Sequence, residues 1–301
     1  MSAQPLVTVG IPTRNRAASL LRAVESVLAQ DWYELEILIS DNGSTDDTQT
    51  FCERLARDEP RVRYFRQSEN IGAEANFREV LRRARGEFFM WLADDDWIDP
   101  SYVSQCASIL AQRPDELLVC GRARYYRGGE FAFAERPVNL LARSGWARLI
   151  DFYRTVTLNG PFYGVMRRKP LETIPLSRFD WLFVGSLAYL GKIRTLENVS
   201  LHRSLEGGSQ DAETLARSLG LSSGAARNWH LAVARLVFED IAHGPVYRSS
   251  HPVARYLAAA TSWMLVVARF SGKVWLARGL VRLGWFARAR AVLEERRRRS
   301  G

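Results

Sequence analysis

Along the first 120 residues, short apolar runs alternate with longer stretches whose apolar residues fall three or four apart. The runs are Leu6–Ile11, Leu35–Ser40, Val62–Arg66 and Phe88–Leu92, and their length predicts buried strands rather than helices. Between the first two, Ser19–Gln30 places Leu20, Leu21, Val24, Val27 and Leu28 on one helical face. Thr48–Arg57 and Ala73–Arg85 predict two more helices, the second closed by Gly86. Asp99 and Pro100 offer an N-cap and a first residue for a helix reaching Gln112, and Leu117–Cys120 predicts a fifth strand.

Strands and helices in alternation predict an α/β fold with a mostly parallel sheet and right-handed crossovers. In such a sheet ligands bind beyond the carboxyl ends of the strands. Four polar segments follow the first four strands and are expected to meet at one edge: Thr13 to Arg16, Asp41 to Asp47, Arg66 to Asn70, and Asp94 to Asp96. The last holds three consecutive carboxylates, which repel one another and are costly where water is scarce unless a cation neutralises them. The plainer alternative is a solvated turn whose acids complement a helix N-terminus, as Asp46 and Asp47 are expected to do for theirs.

Beyond Cys120 the patterning weakens. Arg124–Phe133 is strand-like on both sides of a Gly128–Gly129 turn, and Gly145–Val156 predicts an amphipathic helix. The loop Asn159–Gly164 leads into a strand at Val165–Arg168. Asp180 then opens an apolar helix, Trp181–Leu190, closed by Gly191. Ile193–Leu201 predicts a strand running to His202 and Arg203, followed by the glycine-rich Glu206–Ser209.

Charge divides the chain. Residues 228–301 carry 13 Lys and Arg against 4 Asp and Glu, which accounts for the whole net charge of +9 and leaves the first 227 residues balanced. The expected organisation is therefore a main domain at 1–227 and a basic helical region at 228–301. The longest apolar run there, Tyr256 to Ala268, has 13 residues, short of the roughly 20 that span a bilayer. From Val274 to Leu293, arginines interleave with Trp275, Leu276, Leu280, Val281, Trp285 and Phe286, a pattern suited to an anionic membrane surface. Packing on the first 227 residues or on another subunit is the competing expectation. Nucleic-acid binding through Arg296–Arg299 is not expected. Cys52, Cys106 and Cys120 match neither a zinc pattern nor a disulfide framework, and they read as core residues. With no basic leader and apolar stretch at the N-terminus, the expected compartment is the cytoplasm, with peripheral attachment to the inner face of the plasma membrane as an option.

The chain lacks the glycine fingerprint of a dinucleotide fold and the Gly-Lys-Ser/Thr of a phosphate loop. A phosphate-bearing ligand would need a metal and basic side chains. The acids after Leu92 suit a hard cation, Mg²⁺ or Mn²⁺, and Asp41 is placed to accept hydrogen bonds from a base or ribose.

These residues also carry a resemblance. IPTRNRAASLLRAVESVLAQ, EILISDNGSTDDT, NIGAEANF and ARGEFFMWLADDDWIDP, in that order, resemble glycosyltransferase family 2 over roughly residues 5 to 210. The resemblance implies a GT-A catalytic domain at 1–227, with a nucleotide-sugar half to about 120 and an acceptor half after it, and an inverting, metal-dependent transfer from a nucleotide-sugar donor to an acceptor hydroxyl, with a glycan or lipid-linked acceptor. It implies that Pro12, Thr13, Arg14 and Asp41 line the nucleotide pocket, with Arg66, Asn70 and Asp94 beside them. Many members read D-x-D-D where this chain has Ala93-Asp94-Asp95-Asp96, so Asp95 is the expected metal ligand, with Asp96 assisting. The family's base is an Asp at the start of a helix in the second half. Asp180 stands there, with Phe179 in place of the usual preceding acid. Its plain alternative is an N-cap. His202 and Arg203 fall where the family places a basic residue near the diphosphate, and His202 is a further candidate metal ligand. Trp97 is placed either to stack on a sugar ring or to pack as core. Tyr163 is a candidate for the acceptor side by position.

Two other functions fit the same residues. A metal-dependent nucleotidyltransferase would release diphosphate from a nucleoside triphosphate. A non-catalytic nucleotide-sugar-binding or membrane-associated protein would keep the fold and tolerate loss of Asp180.

Overall fold

The computed structural model describes residues 4–176, 180–206 and 228–271. Strand β1 (Val7–Thr13), helix α1 (Ala17–Leu28), β2 (Leu35–Asp41), α2 (Thr48–Asp58), β3 (Val62–Arg66), α3 (Ala73–Arg83) and β4 (Phe88–Trp91) alternate as the patterning predicts. Every residue of β1, β2 and β4 is buried, which is why these strands read as unbroken apolar runs rather than as alternating ones. They pair in parallel in the order β3-β2-β1-β4. The chain thus leaves β1 toward β2 on one side and reaches β4 on the other. Between β1 and β4 lies the point where the order reverses, and a crevice opens beyond their carboxyl ends.

The sheet does not continue parallel. Next along it comes β8 (Val165–Arg167), antiparallel to β4 and followed by the one-turn helix α6 (Arg168–Leu171), then β6 (Glu116–Arg127), antiparallel to β8. β9 (Lys192–Ser204) runs parallel to β6. A two-residue strand, β5 (Trp97–Ile98), closes the order antiparallel to β9, and β7 (Glu130–Ala134) forms a hairpin with β6 about the expected Gly128–Gly129 turn. Leu117–Cys120 is therefore only the start of a 12-residue strand that reaches the crevice.

Two local expectations are corrected. Helix α3 ends at Arg83, and Gly86 does not close it. Instead Gly86 donates its N–H to Thr8 Oγ1, and a Cβ there would sit 2.6 Å from Thr8 N and 2.8 Å from Leu6 O. The glycine is needed for close approach to β1. Helix α4 (Tyr102–Gln112) starts later than expected, and the Asp99 side chain does not cap it. Gln30, just past α1, does that work: its Oε1 accepts from Val103 N at 2.9 Å and its Nε2 donates to Asp99 O at 2.8 Å.

Trp91 anchors the middle of the molecule. Its ring is fully buried, stacked on Phe162 at 4.8 Å, and set edge-on against Phe89 and Phe183. Phe162 belongs to a short 3-10 turn, Gly160–Tyr163, and Phe183 to α7 (Asp180–Leu190). Aromatic packing of this kind fixes orientation as well as burying area, so it holds the acids after β4 at a set distance from the start of α7. Helix α7 is apolar on all sides because it is covered on all sides, by α5 (Gly145–Thr155) and by α8 (Trp229–His243). The helix at 252–271, α9, completes the cover, with Phe270 stacked on Trp181 at 5.4 Å. One face of the C-terminal helices thus packs on the rest of the chain. The arginine-bearing stretch Val274–Leu293, Arg296–Arg299, the 207–227 boundary region and Phe179 lie outside the described residues. All three cysteines are buried and free.

Candidate active site

The three acids after β4 point to three different elements. Asp94 Oδ2 accepts from Thr13 Oγ1 at 2.7 Å, which ties the end of β1 to the end of β4 across the reversal point. Asp95 turns toward α1, where its Oδ2 lies 3.5 Å from the Arg16 guanidinium and its carbonyl accepts from Arg22 at 2.8 Å. Asp96 turns inward to β9. Its Oδ2 accepts from Arg203 Nε at 2.8 Å and its Oδ1 from Ser204 N at 3.2 Å.

The four polar segments do converge. Asn15, held at φ 54°, donates its N–H to Ser44 Oγ, and its Oδ1 accepts from Thr45 N at 2.8 Å. A left-handed conformation is cheapest for Asn among non-glycine residues. Asn70 Oδ1 accepts from Asn42 Nδ2 at 2.9 Å, and Arg66 donates to Ser44 O at 2.9 Å. Pro12 and Thr13 are buried at the floor and Arg14 is exposed at the rim. Asp41 is less available than the sequence suggests. It is fully buried, with Oδ1 accepting from Ser44 N and Oδ2 from the Tyr64 hydroxyl, both at 2.8 Å. In this arrangement it shapes the loop rather than presenting a free acceptor.

Across the crevice, Asp180 opens α7. Its Oδ2 accepts from Asn159 Nδ2 at 2.6 Å. The Asn159 Oδ1 in turn accepts from Arg203 Nη1. A continuous chain of hydrogen bonds therefore runs Asp180–Asn159–Arg203–Asp96, linking the candidate base to the acidic segment. Burial raises the Asp180 carboxyl above its ordinary range, opposed by the Asn159 hydrogen bond and the Arg203 charge. Arg203 lies over the Tyr163 ring, 4.3 Å from its centroid. Tyr163 is itself buried and acts as a platform for the guanidinium rather than as a surface for an acceptor. Asn159 carries the decisive link. In the sequence it reads as one polar residue in a loop, and only its two partners reveal it.

Two expected metal ligands are otherwise engaged. Asp96 has both oxygens taken up by Arg203 and Ser204. His202 has both nitrogens occupied, Nδ1 with the Tyr126 hydroxyl at 2.9 Å and Nε2 with Asp99 Oδ1 at 2.7 Å. Its ring stacks on Trp97 at 5.1 Å and 6°. Trp97 also carries the Arg22 guanidinium 3.9 Å from its centroid, so it is packed within the protein rather than open to a sugar. Among the described residues, no three His, Cys, Asp or Glu side chains are grouped to hold a metal. Asp94 and Asp95 remain. Burial pushes the Asp94 carboxyl up to about 6, and the neighbouring Asp95 charge pushes the same way against the Thr13 hydrogen bond. A cation would relieve that repulsion. This pair fits a hard divalent ion that takes one or two carboxylates and draws its other ligands from substrate phosphates and water. It does not fit one caged by protein alone.

A buried acid beside the Asn159 turn that no sequence motif marks is Glu135. It is 5% exposed, and its Oε2 accepts from Gly160 N at 3.1 Å, holding the turn that follows Asn159. A Cβ on Gly160 would lie 2.4 Å from that oxygen, so only glycine fits. Glu135 Oε1 has no partner among the described residues. Burial pushes this carboxyl up to about 7. A carboxyl raised in the folded state contributes stability that is complete below its unfolded value, near 4.5, and that is lost as pH rises through about 7. The contribution at stake is on the order of 3 kcal/mol. Glu135→Gln keeps the shape without the charge. Urea unfolding at about pH 5 and about pH 8 should show a smaller stability loss on alkalinisation for the variant than for the native chain. Equal losses would contradict the assignment. Asp240, raised by burial to about 7 and remote from these residues in sequence, adds its own loss to both proteins.

Known proteins resemble this chain in sequence and in fold. Residues 8–174 match the profile of Glycosyl transferase family 2. The chain is 32% identical over 189 residues to the GalNAc(5)-diNAcBac-PP-undecaprenol beta-1,3-glucosyltransferase of Campylobacter jejuni, covering 62% of this chain and 58% of that one. It spans less than two thirds of the length of the curated relatives it matches first. Among solved structures, S. aureus TarS 1-349 in complex with UDP-GlcNAc superposes with a TM-score of 0.56 at 18% identity, over 87% of this chain and 81% of that one. The mannosyltransferase PcManGT of Pyrobaculum calidifontis, in complex with GDP-Man and Mn²⁺, gives 0.52 at 17% identity, over 94% and 80%. At these identities the likeness is one of fold, and the fold is the mixed α/β GT-A type.

Proposed function

The chain belongs to glycosyl transferase family 2, and from that premise we propose that it transfers a sugar, with inversion, from a nucleoside-diphosphate sugar to an acceptor hydroxyl. The observation that carries this reading is the hydrogen-bonded chain from Asp180 through Asn159 and Arg203 to Asp96, beside the Asp94–Asp95 pair. It sets one carboxylate apart from the other two across a single crevice. An inverting displacement needs that separation, with a base on one side of the sugar and charge neutralisation on the other.

In this mechanism the donor lies over the Thr13–Asp94 floor with its diphosphate toward Asp95. Asp180 takes the proton of the acceptor hydroxyl as its oxygen bonds to the anomeric carbon. The bond from that carbon to the diphosphate oxygen breaks, and its electron pair leaves with the nucleoside diphosphate. Asn159 holds the Asp180 carboxylate in one orientation, and Arg203 keeps the base side tied to the donor side. A bound Mg²⁺ or Mn²⁺ at Asp94 and Asp95 would neutralise charge developing on the leaving group. The Campylobacter relative is named for GalNAc(5)-diNAcBac-PP-undecaprenol, and that name supports a lipid-linked or polysaccharide acceptor. Among the described residues no helix is long and apolar enough to cross a membrane.

The test is incubation of the full chain with a panel of nucleotide sugars and Mn²⁺ or Mg²⁺, following nucleoside diphosphate release and the anomeric configuration of the product. Release of a nucleoside diphosphate with inverted product is expected. Diphosphate release from a nucleoside triphosphate, or a product of retained configuration, would overturn the reading. The acid limb of the rate profile should fall above the usual carboxylate range, because Asp180 must be ionised to act and burial raises it.

A further inference from the structure

The main chain on either side of Asn159 is held, and the two holds differ in kind. Asn159 donates to Asp180 Oδ2 at 2.6 Å and accepts from Arg203 through its Oδ1. A side chain that serves two partners at once needs a fixed main chain beneath it. On one side, Leu158 O accepts from Trp181 Nε1 at 3.1 Å. Trp181 follows Asp180 in α7, so this contact ties the loop to the helix that carries the candidate base. On the other side, Gly160 N donates to Glu135 Oε2 at 3.1 Å. Of the two holds, this one refers the loop to the sheet.

Glu135 is itself well anchored there. Its N–H donates to Ala123 O at 2.8 Å, and its carbonyl accepts from Arg122 Nε at 3.3 Å. Both partners lie in β6, the strand that runs beside β9 and sets Tyr125 opposite Arg203. The Tyr125 hydroxyl donates to the same Oε2 at 3.4 Å. Gly160 leaves no slack, because a Cβ there would lie 2.7 Å from the Ala123 side chain as well as 2.4 Å from Oε2. The position of the sheet is thus passed to the loop at Gly160, one residue from the side chain that meets Asp180.

We propose that Glu135 is a positioning residue for the transfer: by holding the Gly160 N–H it fixes Asn159, and through Asn159 the direction of the Asp180 carboxylate. The proposal rests on the reading of Asp180 as the base, and it gives Glu135 the role of a hydrogen-bond acceptor rather than of a charge. A reacting group misplaced by about 1 Å loses on the order of 10²-fold in rate. Two variants separate acceptor from charge. Glu135→Asp keeps the charge but is one methylene too short to reach Gly160 N. Glu135→Gln loses the charge but offers a carbonyl oxygen in the same place.

The full chain is isotope-labelled at its aspartate carboxyls and titrated by NMR, with the Asp180 signal assigned by its loss in Asp180→Asn. The Asn159 hydrogen bond opposes the effect of burial on the Asp180 carboxyl, so slackening that bond lets the group titrate at higher pH. Glu135→Asp should raise the Asp180 titration toward that of Asn159→Ala, and Glu135→Gln should restore it to the native position. A role confined to stability would lower the thermal midpoint of Glu135→Asp without moving that titration. Release of nucleoside diphosphate from UDP-GlcNAc and GDP-mannose with Mn²⁺, water serving as acceptor, is followed in the same variants. It should fall at least about tenfold in Glu135→Asp and less than about threefold in Glu135→Gln. An Asp180 titration unmoved by Glu135→Asp overturns the proposal. So does a Glu135→Gln variant more impaired than Glu135→Asp, which would assign the role to charge. The glutamine variant is nearly isosteric and decides the matter even where the shorter one does not fold: displacement of its Asp180 titration as far as in Asn159→Ala overturns the proposal equally. If Asp180→Asn keeps its turnover, the base reading fails and takes this proposal with it; an inactive Asp180→Asn beside an unmoved titration sinks the proposal alone.

Discussion

Asp180→Asn is expected to reduce sugar transfer by about 10²- to 10⁴-fold, the usual contribution of a general base, while leaving donor affinity within a few-fold of native. The amide is nearly isosteric and can still accept the Asn159 hydrogen bond, so the loop that carries Asn159 keeps its anchor. What is lost is the ability to accept the acceptor hydroxyl's proton. Single-turnover transfer, alongside a titration of nucleoside diphosphate followed by thermal shift, separates the two effects. A variant that retains more than about a tenth of the native rate would remove Asp180 from the mechanism and revive its plain reading as a helix N-cap.

The second large effect is on stability as well as rate. Asp96 is 1% exposed, and its ion pair with Arg203 sits beneath the crevice. Asp96→Ala leaves the guanidinium without its carboxylate, and Arg cannot shed its charge. Removing one member of a buried pair costs about 3–5 kcal/mol, whereas replacing both by apolar groups of similar volume is often neutral. Asp96→Leu/Arg203→Met should therefore unfold close to the native midpoint in urea while remaining inactive, because Asn159 has lost its partner. If the double variant is as unstable as Asp96→Ala, the pair is contributing more than its mutual charge. If the double variant is active, Arg203 has no part in holding the base side. Arg203→Lys is expected to fail as well: Asp96 and Asn159 are met by two different nitrogens of a planar fork that a lysine lacks.

How far the molecule could be read from its sequence depends on the range of the interactions involved. The four parallel strands and their helices follow from local patterning, and so does the edge where Thr13 and Asp94 meet. The errors lie where a residue's partner is far away in the chain. Asp99 looks like a helix cap, but its carboxylate accepts from Ser200 N and meets His202, about a hundred residues on. Gly86 has the position of a helix terminator and is instead demanded by β1. His202 and Asp96 are ligand types in plausible places, yet each is already partnered by the other half of the fold. Asn159 and Glu135 carry no motif at all, and their importance lies in geometry that local spacing does not encode. The β6 strand, begun by Leu117–Cys120, ran on past its predicted end because its second half pairs with β9 and β7 rather than with the parallel sheet.

The acidic segment after β4 also bears on how this protein can be recombined. Each of Asp94, Asp95 and Asp96 serves a different neighbour: the end of β1, the start of α1, and β9. The parts of the chain before and after residue 120 are therefore not interchangeable modules divided at a loop. A chimera that imports residues beyond 120 from a relative brings in a new β9, and with it a new match or mismatch for Asp96 and Asp99. The viable exchange unit is expected to be the later part together with residues 94–99, even though that short stretch precedes residue 120 in the sequence.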